Sequence, residues 1–365
     1  MPIAHDAVTA ALRLEQAKEF LDQGAFGKAL AILARPLPAA FRPECAFLTA
    51  ESLRGQGYLA RAALRYRGLL RQRRGSDRTV WLDSCLGLVC CLRSLGEVRA
   101  ARRFWEMGRT AAVALGNRGF RERLELEGAL IDRAAGRYGR SLSRFKILLA
   151  RFRSGKDWAA AGYVLWAMGG ALRFAGDLEG SRRAFLASLA MGRRARDSAG
   201  KVYAWFGLGG VTRIQGRLAE ARRYYAEALR EVAGTEDVFG QAYAQCGLAN
   251  VLRQQGELLQ AERHYRLAHK LYTRLEDPVD LAYVDWGLGQ IALRRGELAA
   301  ADKSFRLALQ GFLRGGEMRG VVLSEVARAQ VLHALGHTGR AERIFAGTLR
   351  RARRAGIHTH LEIFT

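Results

Sequence analysis

KVYAWFGLGGVTRIQGRLAEARRYYAEALR, residues 201–230, decides the fold. It reads as two amphipathic helices broken at Gly216. The same text returns as QAYAQCGLANVLRQQGELLQAERHYRLAHK at 241–270 and as LAYVDWGLGQIALRRGELAAADKSFRLALQ at 281–310. Self-similarity at a fixed period signals a stack of supersecondary units. The turn glycines Gly96, Gly136, Gly176, Gly216, Gly256, Gly296 and Gly336 are each 40 residues apart, and looser copies precede them at Gly24 and Gly57.

Each unit has a physical grammar, counted from its turn glycine. The second helix carries a small residue at +5, an aromatic at +9 and a small residue at +12. In the central units these are Ala221, Tyr225, Ala228; Ala261, Tyr265, Ala268; and Ala301, Phe305, Ala308. Steps of four and three put them on one helix face. The first helix carries Leu208-Gly209, Leu248-Ala249 and Leu288-Gly289 at −8 and −7. Small residues admit a neighbouring helix, and the aromatic fills the gap.

This pattern resembles the tetratricopeptide repeat (TPR), a helix-turn-helix with a Leu-Gly pair, a turn Gly, then Ala, aromatic, Ala. The resemblance covers Gly57 to Gly356, and the first fifty residues weakly. The closing Pro of the family is missing and the period exceeds its usual 34. A 40-residue unit opening on Asp or Asn is more similar to the variant in Pins/LGN-type scaffolds. The resemblance implies an all-α, right-handed superhelix of about nine hairpins. An atypical hairpin and Pro-rich connector are expected over 1–42, the superhelix over 43–356 and a tail over 357–365.

The chain has 365 residues, which as repeats form one elongated domain rather than two globular ones. It holds 59 basic against 35 acidic residues, a formal charge of +24, and 52 of the basic residues are Arg. Such a balance favours anionic partners, nucleic acid included. Arg in place of Lys also fits a GC-rich, bacterial genome. Five cysteines (Cys45, Cys85, Cys90, Cys91, Cys246) form no disulfide framework and fit a reducing cytoplasm. No signal peptide or membrane-spanning run is expected.

A second 40-residue column opens the units: Asp77, Asn117, Asp157, Asp197, Asp237, Asp277 and Glu317. Asp and Asn suit an N-cap, where a side-chain oxygen accepts from free first-turn N–H groups. Pro278 fits the first helical position. Asp6 is expected to cap a helix to Gln23, with a short helix over 26–33 and Pro36, Pro38 and Pro43 breaking the pattern. The last helix is expected to reach Gly356, and Leu361, Ile363 and Phe364 of the tail are candidates to dock.

No catalytic arrangement is recognisable, so a non-enzyme without metal or cofactor is expected. His333 and His337 flank a turn glycine, and His358 and His360 lack further ligands nearby. Gly207 to Gly210 lies in a helix without a preceding strand, which argues close packing rather than a phosphate loop.

In the TPR family the first helices line the concave face. At 100° per residue, positions −13, −10, −6 and −3 share a stripe about 80° wide. It holds Tyr163, Tyr203, Tyr243 and Tyr283; Trp166, Phe206, Cys246 and Trp286; Gly170, Gly210, Asn250 and Gln290; and Arg54, Arg93, Arg133, Arg173, Arg213 and Arg253. A cation in the last helical turn complements the dipole, worth about 0.3–1 kcal/mol. That does not account for one rotational position used six times beside an aromatic column. Arg grips carboxylate or phosphate with two hydrogen bonds, and Tyr and Trp add flat apolar contact. Glu44, Glu51 and Asp83 share the stripe and are expected to neutralise Arg54 and Arg93, confining ligand to later units. The leading expectation is a scaffold clamping an extended acidic peptide in a basic, aromatic-lined groove. Nucleic-acid binding, with Arg on phosphates and aromatics on bases, stands second. A bacterial peptide-signal sensor stands third.

Overall fold

A computed structural model describes residues 2–71, 78–355 and 357, with side chains from residue 7 onward. Among these residues the regular structure is eighteen α-helices and one 3-10 turn, Ala39–Phe41, without a strand. The fold is an all-α helical-repeat solenoid built from helix pairs. Its contacts divide it into two compact units, Met1–Ile147 with Gly234–Val238, and Leu148–Ala233 with Phe239–Thr365.

In the first unit α1 (Pro2–Asp22) packs on α2 (Phe26–Leu33), α3 (Arg42–Gly55) on α4 (Leu59–Arg71), and α5 (Arg78–Ser94) on α6 (Val98–Ala114). There follow α7 (Arg118–Ala134) and α8 (Tyr138–Ser154), the latter continuing into the second unit. Because α1 starts at Pro2, Asp6 lies inside the helix and is not its cap. Pro is tolerated there because first-turn N–H groups lack helical partners. The same reason places Pro43 within the first turn of α3, not in the connector. The connector is held by Arg13, which donates to the carbonyls of Ile32 and Arg35 at 2.9 Å and of Pro36 at 3.2 Å. Tyr66, Leu88, Val89, Ala101 and Ile131 form its main core cluster. Beside it Asp132, fully buried, binds Arg102 at 2.7 Å, Arg137 and Arg144 at 2.9 Å and Arg140 at 3.4 Å. Burial opposes its charge, but hydrogen bonds from Arg144, Arg137 and Arg102 outweigh that and hold its carboxyl below the ordinary range.

The second unit continues with α9 (Trp158–Phe174), α10 (Leu178–Ala195), α11 (Ser198–Ile214), α12 (Leu218–Val232), α13 (Val238–Gln255) and α14 (Leu258–Leu275). It ends with α15 (Pro278–Arg294), α16 (Leu298–Gly315), α17 (Met318–Ala334) and α18 (Thr338–Arg354). The aromatic at +9 is the wedge between repeats. Tyr225, Tyr265 and Phe305 are 4%, 0% and 0% exposed, and the alanines at +5 and +12 are fully buried. A methyl group on Gly169 would come within 2.7 Å of the Phe185 ring, and one on Gly209 within 2.8 Å of Tyr225. The same rings also press on Gly207 and Gly247, at −9 of the following repeat. This second glycine column receives the wedge from the preceding unit.

The caps follow the 40-residue column. Asn117, Asp157, Asp197, Asp277 and Glu317 accept from first-turn N–H groups at 2.8–3.1 Å. Pro278 follows Asp277 in the first turn of α15. Asp77 lies outside the described residues. The turn glycines from Gly136 to Gly336 all have φ between +74° and +91°. A second left-handed column precedes the caps, and at Lys156, Arg196 and Glu276 it is not glycine. Between α12 and α13 this column slips to Gly234, and α12 ends at Val232, a shorter helix than α10 or α14.

The last helix stops at Arg354, and Ile357 packs on Val322 and Ala352. Gly356, His358, His360, Leu361, Ile363 and Phe364 lie outside the described residues. Among the described residues no helix is long and apolar enough to cross a membrane.

Candidate functional site

The aromatic stripe forms a continuous chain in the second unit. Ring centroids run Tyr163 to Trp166 at 5.4 Å, Trp166 to Tyr203 at 5.7 Å, Tyr203 to Phe206 at 5.8 Å and Phe206 to Tyr243 at 4.8 Å. These tilted and edge-on contacts are the favoured aromatic geometries. Their exposure is uneven. Tyr163 is 40% exposed, and Trp166, Tyr203, Tyr243 and Tyr283 are half-buried. Phe206 and Trp286 are buried, so Phe206 serves as an inner rung rather than a surface anchor. It cannot stay open because Tyr243 of the next first helix lies on it.

The arginine row has three environments. In the first unit Arg54 binds Glu51 at 2.5 Å and Arg93 binds Glu127 at 3.0 Å. The expected partners differ in part: Glu44 binds Lys18 and Asp83 binds Arg123, cations that adjoining helices bring to these carboxylates. Arg133, also in this unit, is half-buried near the end of α7. In the second unit Arg253 is 1% exposed. Its Nε donates to Tyr265 Oη at 3.4 Å, and its guanidinium lies 5.3 Å from the Trp286 ring centroid. It is therefore a packed cation under Trp286, not an open ligand-binding group. Arg173 lies over Gly210, where a methyl group would meet Nη1 at 2.6 Å. Glycine at −6 thus clears the path of the arginine from the preceding repeat. Among the described residues Arg173 has no carboxylate within ion-pair range.

Arg173, Arg213, Tyr243, Asn250, Tyr283 and Trp286 converge on one cavity of about 250 Å³. Trp166, Phe206, Tyr163, Tyr203 and Gln290 lie outside its lining, as do Arg133 and Arg253. The stripe missed Ile214, Tyr225, Gly247 and Tyr272 of the lining, and also Phe174, Asp280, Glu317 and Arg319. Arg319, at the start of α17, stacks 4.5 Å from the Phe174 ring at the end of α9, and Arg173 lies 5.0 Å from the same ring. These residues come from helix ends, which a single-helix stripe does not sample.

The cavity lining combines charged and aromatic side chains. Burial pushes the Asp280 carboxyl up to about 8, the charge of Asp277 adds to this, and a Tyr272 hydrogen bond opposes it. Burial likewise raises Tyr243, Tyr272 and Tyr283, and takes the Cys246 thiol to about 12. At neutral pH Asp280 therefore adds no charge opposite Arg173, Arg213 and Arg319. The Trp286 Nε1–H is buried without an acceptor among the described residues. Asn250 is not spare: its Nδ2 donates to the Cys246 carbonyl at 3.0 Å and its Oδ1 accepts from Tyr265 at 2.9 Å. Among the described residues no group of three or more His, Cys, Asp or Glu could hold a metal ion.

A profile of the MalT-like TPR region matches residues 151–362, more than half of the chain. The chain belongs to the MalT-like TPR family. Comparison with curated proteins returned no match. Among solved structures this MalT-like TPR chain is similar to a Rap protein complexed with Competence and Sporulation Factor. The TM-score is 0.69 at 11% identity, covering 95% of this chain and 98% of that one. It is also similar to the apo quorum sensor NprR of B. thuringiensis, with a TM-score of 0.58 and 12% identity over 94% and 98% of the chains. Aspartyl phosphate phosphatase F of Bacillus subtilis gives 0.58 at 8% identity over 94% and 93%. At these identities the likeness is one of fold.

Proposed function

We propose that this MalT-like TPR protein is a non-enzymatic scaffold that binds an extended, acidic peptide segment on the second unit. The observation that carries this reading is the cavity where Arg173, Arg213 and Arg319 face Tyr243, Tyr283 and Trp286. Carboxylates of the segment pair with the guanidiniums. Its carbonyls accept from Trp286 Nε1, and its apolar side chains lie on the Tyr163–Trp166–Tyr203 chain. Asp280, neutral near pH 7, adds no negative charge beside these guanidiniums. The 40-residue period, similar to that of Pins/LGN-type scaffolds, supports the same mode of presentation.

A sensor role is the second reading, favoured by similarity in fold to a Rap protein complexed with Competence and Sporulation Factor and to the quorum sensor NprR. In that reading the peptide is a signal and the protein a cytoplasmic bacterial receptor.

Selection from a random peptide library tests the proposal. Acidic segments carrying an aromatic or large apolar residue are expected to be enriched, and Arg173→Ala should abolish their binding. Enrichment without acidic residues, or binding indifferent to Arg173→Ala, would overturn it. Sub-micromolar RNA binding at physiological salt, lost in the same variant, would assign the cavity to nucleic acid instead.

A further inference from the structure

The excess positive charge of this protein is not spent at the cavity. A 40-residue column at +7 of the second helices reads Arg183, Arg223, Arg263, Lys303 and Arg343 in five successive repeats. All five are exposed and lie on α10, α12, α14, α16 and α18. Among the described residues none has a salt bridge or a side-chain hydrogen bond. Glu179, whose charge Arg183 senses, is already bridged to Arg182 at 2.7 Å. Arg223 lies 5.4 Å from the ring of its neighbour Tyr224.

The adjoining column at +6 behaves oppositely. Arg182, Arg222, Glu262 and Asp302 are all ion-paired, to Glu179, Glu257, Arg266 and Arg306. On α10, α12, α14 and α16 the neighbouring position is thus neutralised while the +7 residue is left charged; on α18 it is Glu342, with no ion pair among the described residues. Side chains near a cation within its Debye length of about 8 Å repel it or attract it without much screening. A row of one sign, repeated on five successive helix pairs, is stabilised by an extended polymer of the opposite sign.

We infer that the face formed by these second helices binds single-stranded nucleic acid along its phosphate backbone. Four of the five cations are Arg, whose planar fork matches phosphate oxygens bidentately. One cation per repeat follows a linear polyanion, whereas a compact acidic ligand would engage one or two. A lipid surface fits less well. Residues four before and three after each cation share its helix face. With three before and four after counted as well, four of the twenty positions are large and apolar, Leu186, Leu259, Leu267 and Leu307, scattered over three helices; the rest include Ala219, Ala226, Ala299 and Gly339. That is too little apolar surface to enter a bilayer interface.

The test is binding of a labelled oligothymidylate by fluorescence anisotropy across a salt series. For a single strand the slope of log K against log salt is about −0.7 per neutralised phosphate, so five contacts give about −3.5. A triple variant, Arg183→Gln, Arg223→Gln and Arg263→Gln, is expected to flatten the slope by about 2 with an unchanged thermal melt. The cavity variant Arg173→Gln with Arg319→Gln is expected to leave the slope unchanged, which separates this surface from the peptide site. An unaltered slope in the triple variant would overturn the inference. So would equal flattening by the cavity variant, or row-dependent binding to phosphatidylserine vesicles without binding to the oligonucleotide.

Discussion

Tyr265 donates its hydroxyl to Asn250 Oδ1 at 2.9 Å, joining the aromatic wedge of one helix hairpin to the −6 position of its own first helix. Asn250 stands where the neighbouring repeats carry Gly170, Gly210 and Gln290. The bond takes its carbonyl out of any role in gripping a ligand backbone. Asn250 also sits beside Arg253, whose Nε donates to the same Tyr265 oxygen at 3.4 Å.

Removing the wedge separates packing from hydrogen bonding. Tyr265→Ala, at a fully buried position, is expected to cost about 3–5 kcal/mol of stability. Tyr265→Phe keeps the ring and should cost about 0.5–1.5 kcal/mol. Denaturant melts of the two variants check this. Equal losses would mean that the Asn250 bond, not the ring, carries the stability.

The glycine seats admit no side chain. Gly209→Ala and Gly247→Ala both drive a methyl group into the Tyr225 ring, from opposite sides. Overpacking of this kind costs about 1–3 kcal/mol. Gly68→Ala meets nothing within 4 Å and serves as the control, with an expected gain in stability from helix propensity. Thermal melts of the three variants rank them.

The pH dependence of peptide binding rests on Asp280. Its folded value is about 8 against about 3.9 unfolded, so its contribution to stability is complete below the unfolded value and lost as pH rises through about 8. Above that pH a new negative charge faces any acidic ligand. Affinity for an acidic peptide is therefore expected to fall between about pH 7 and 9. Asp280→Asn should flatten the profile, measured by titration calorimetry across that range. The Cys246 thiol and the cavity tyrosines, raised by burial, stay neutral there.

Asp132 has the opposite sign. Its carboxyl is held low in the folded state, so its stabilisation is present above about pH 3.9 and lost as pH falls through the folded value. Asp132→Asn leaves four arginines without their shared anion. Breaking a buried pair costs about 3–5 kcal/mol, and the partly exposed arginines place this case at the lower end. Urea melts at neutral and acid pH are expected to show the variant and wild type converging as pH falls.

The sequence by itself determined the repeat. Residues spaced by 40 fall at equivalent places because each hairpin poses the same local problem: a left-handed turn, an N-cap and a wedge between helices. Glycine at the turn, Asp or Asn at the cap and Tyr or Phe beside Ala solve it within one unit, so they are legible without coordinates. Tertiary structure decided which stripe residues remain available. Arg173 and Arg253 are the same letter at the same position, yet one lies over Gly210 at the cavity and the other lies buried beneath Trp286. The difference comes from the following repeat, whose −6 position is Gly210 in one case and Gln290 in the other. Phe174 and Arg319 meet across 145 residues of chain, a contact that no helical period encodes. Periodicity reports what each hairpin needs from its neighbours, while a cavity is made by the side chains that several hairpins bring to one place.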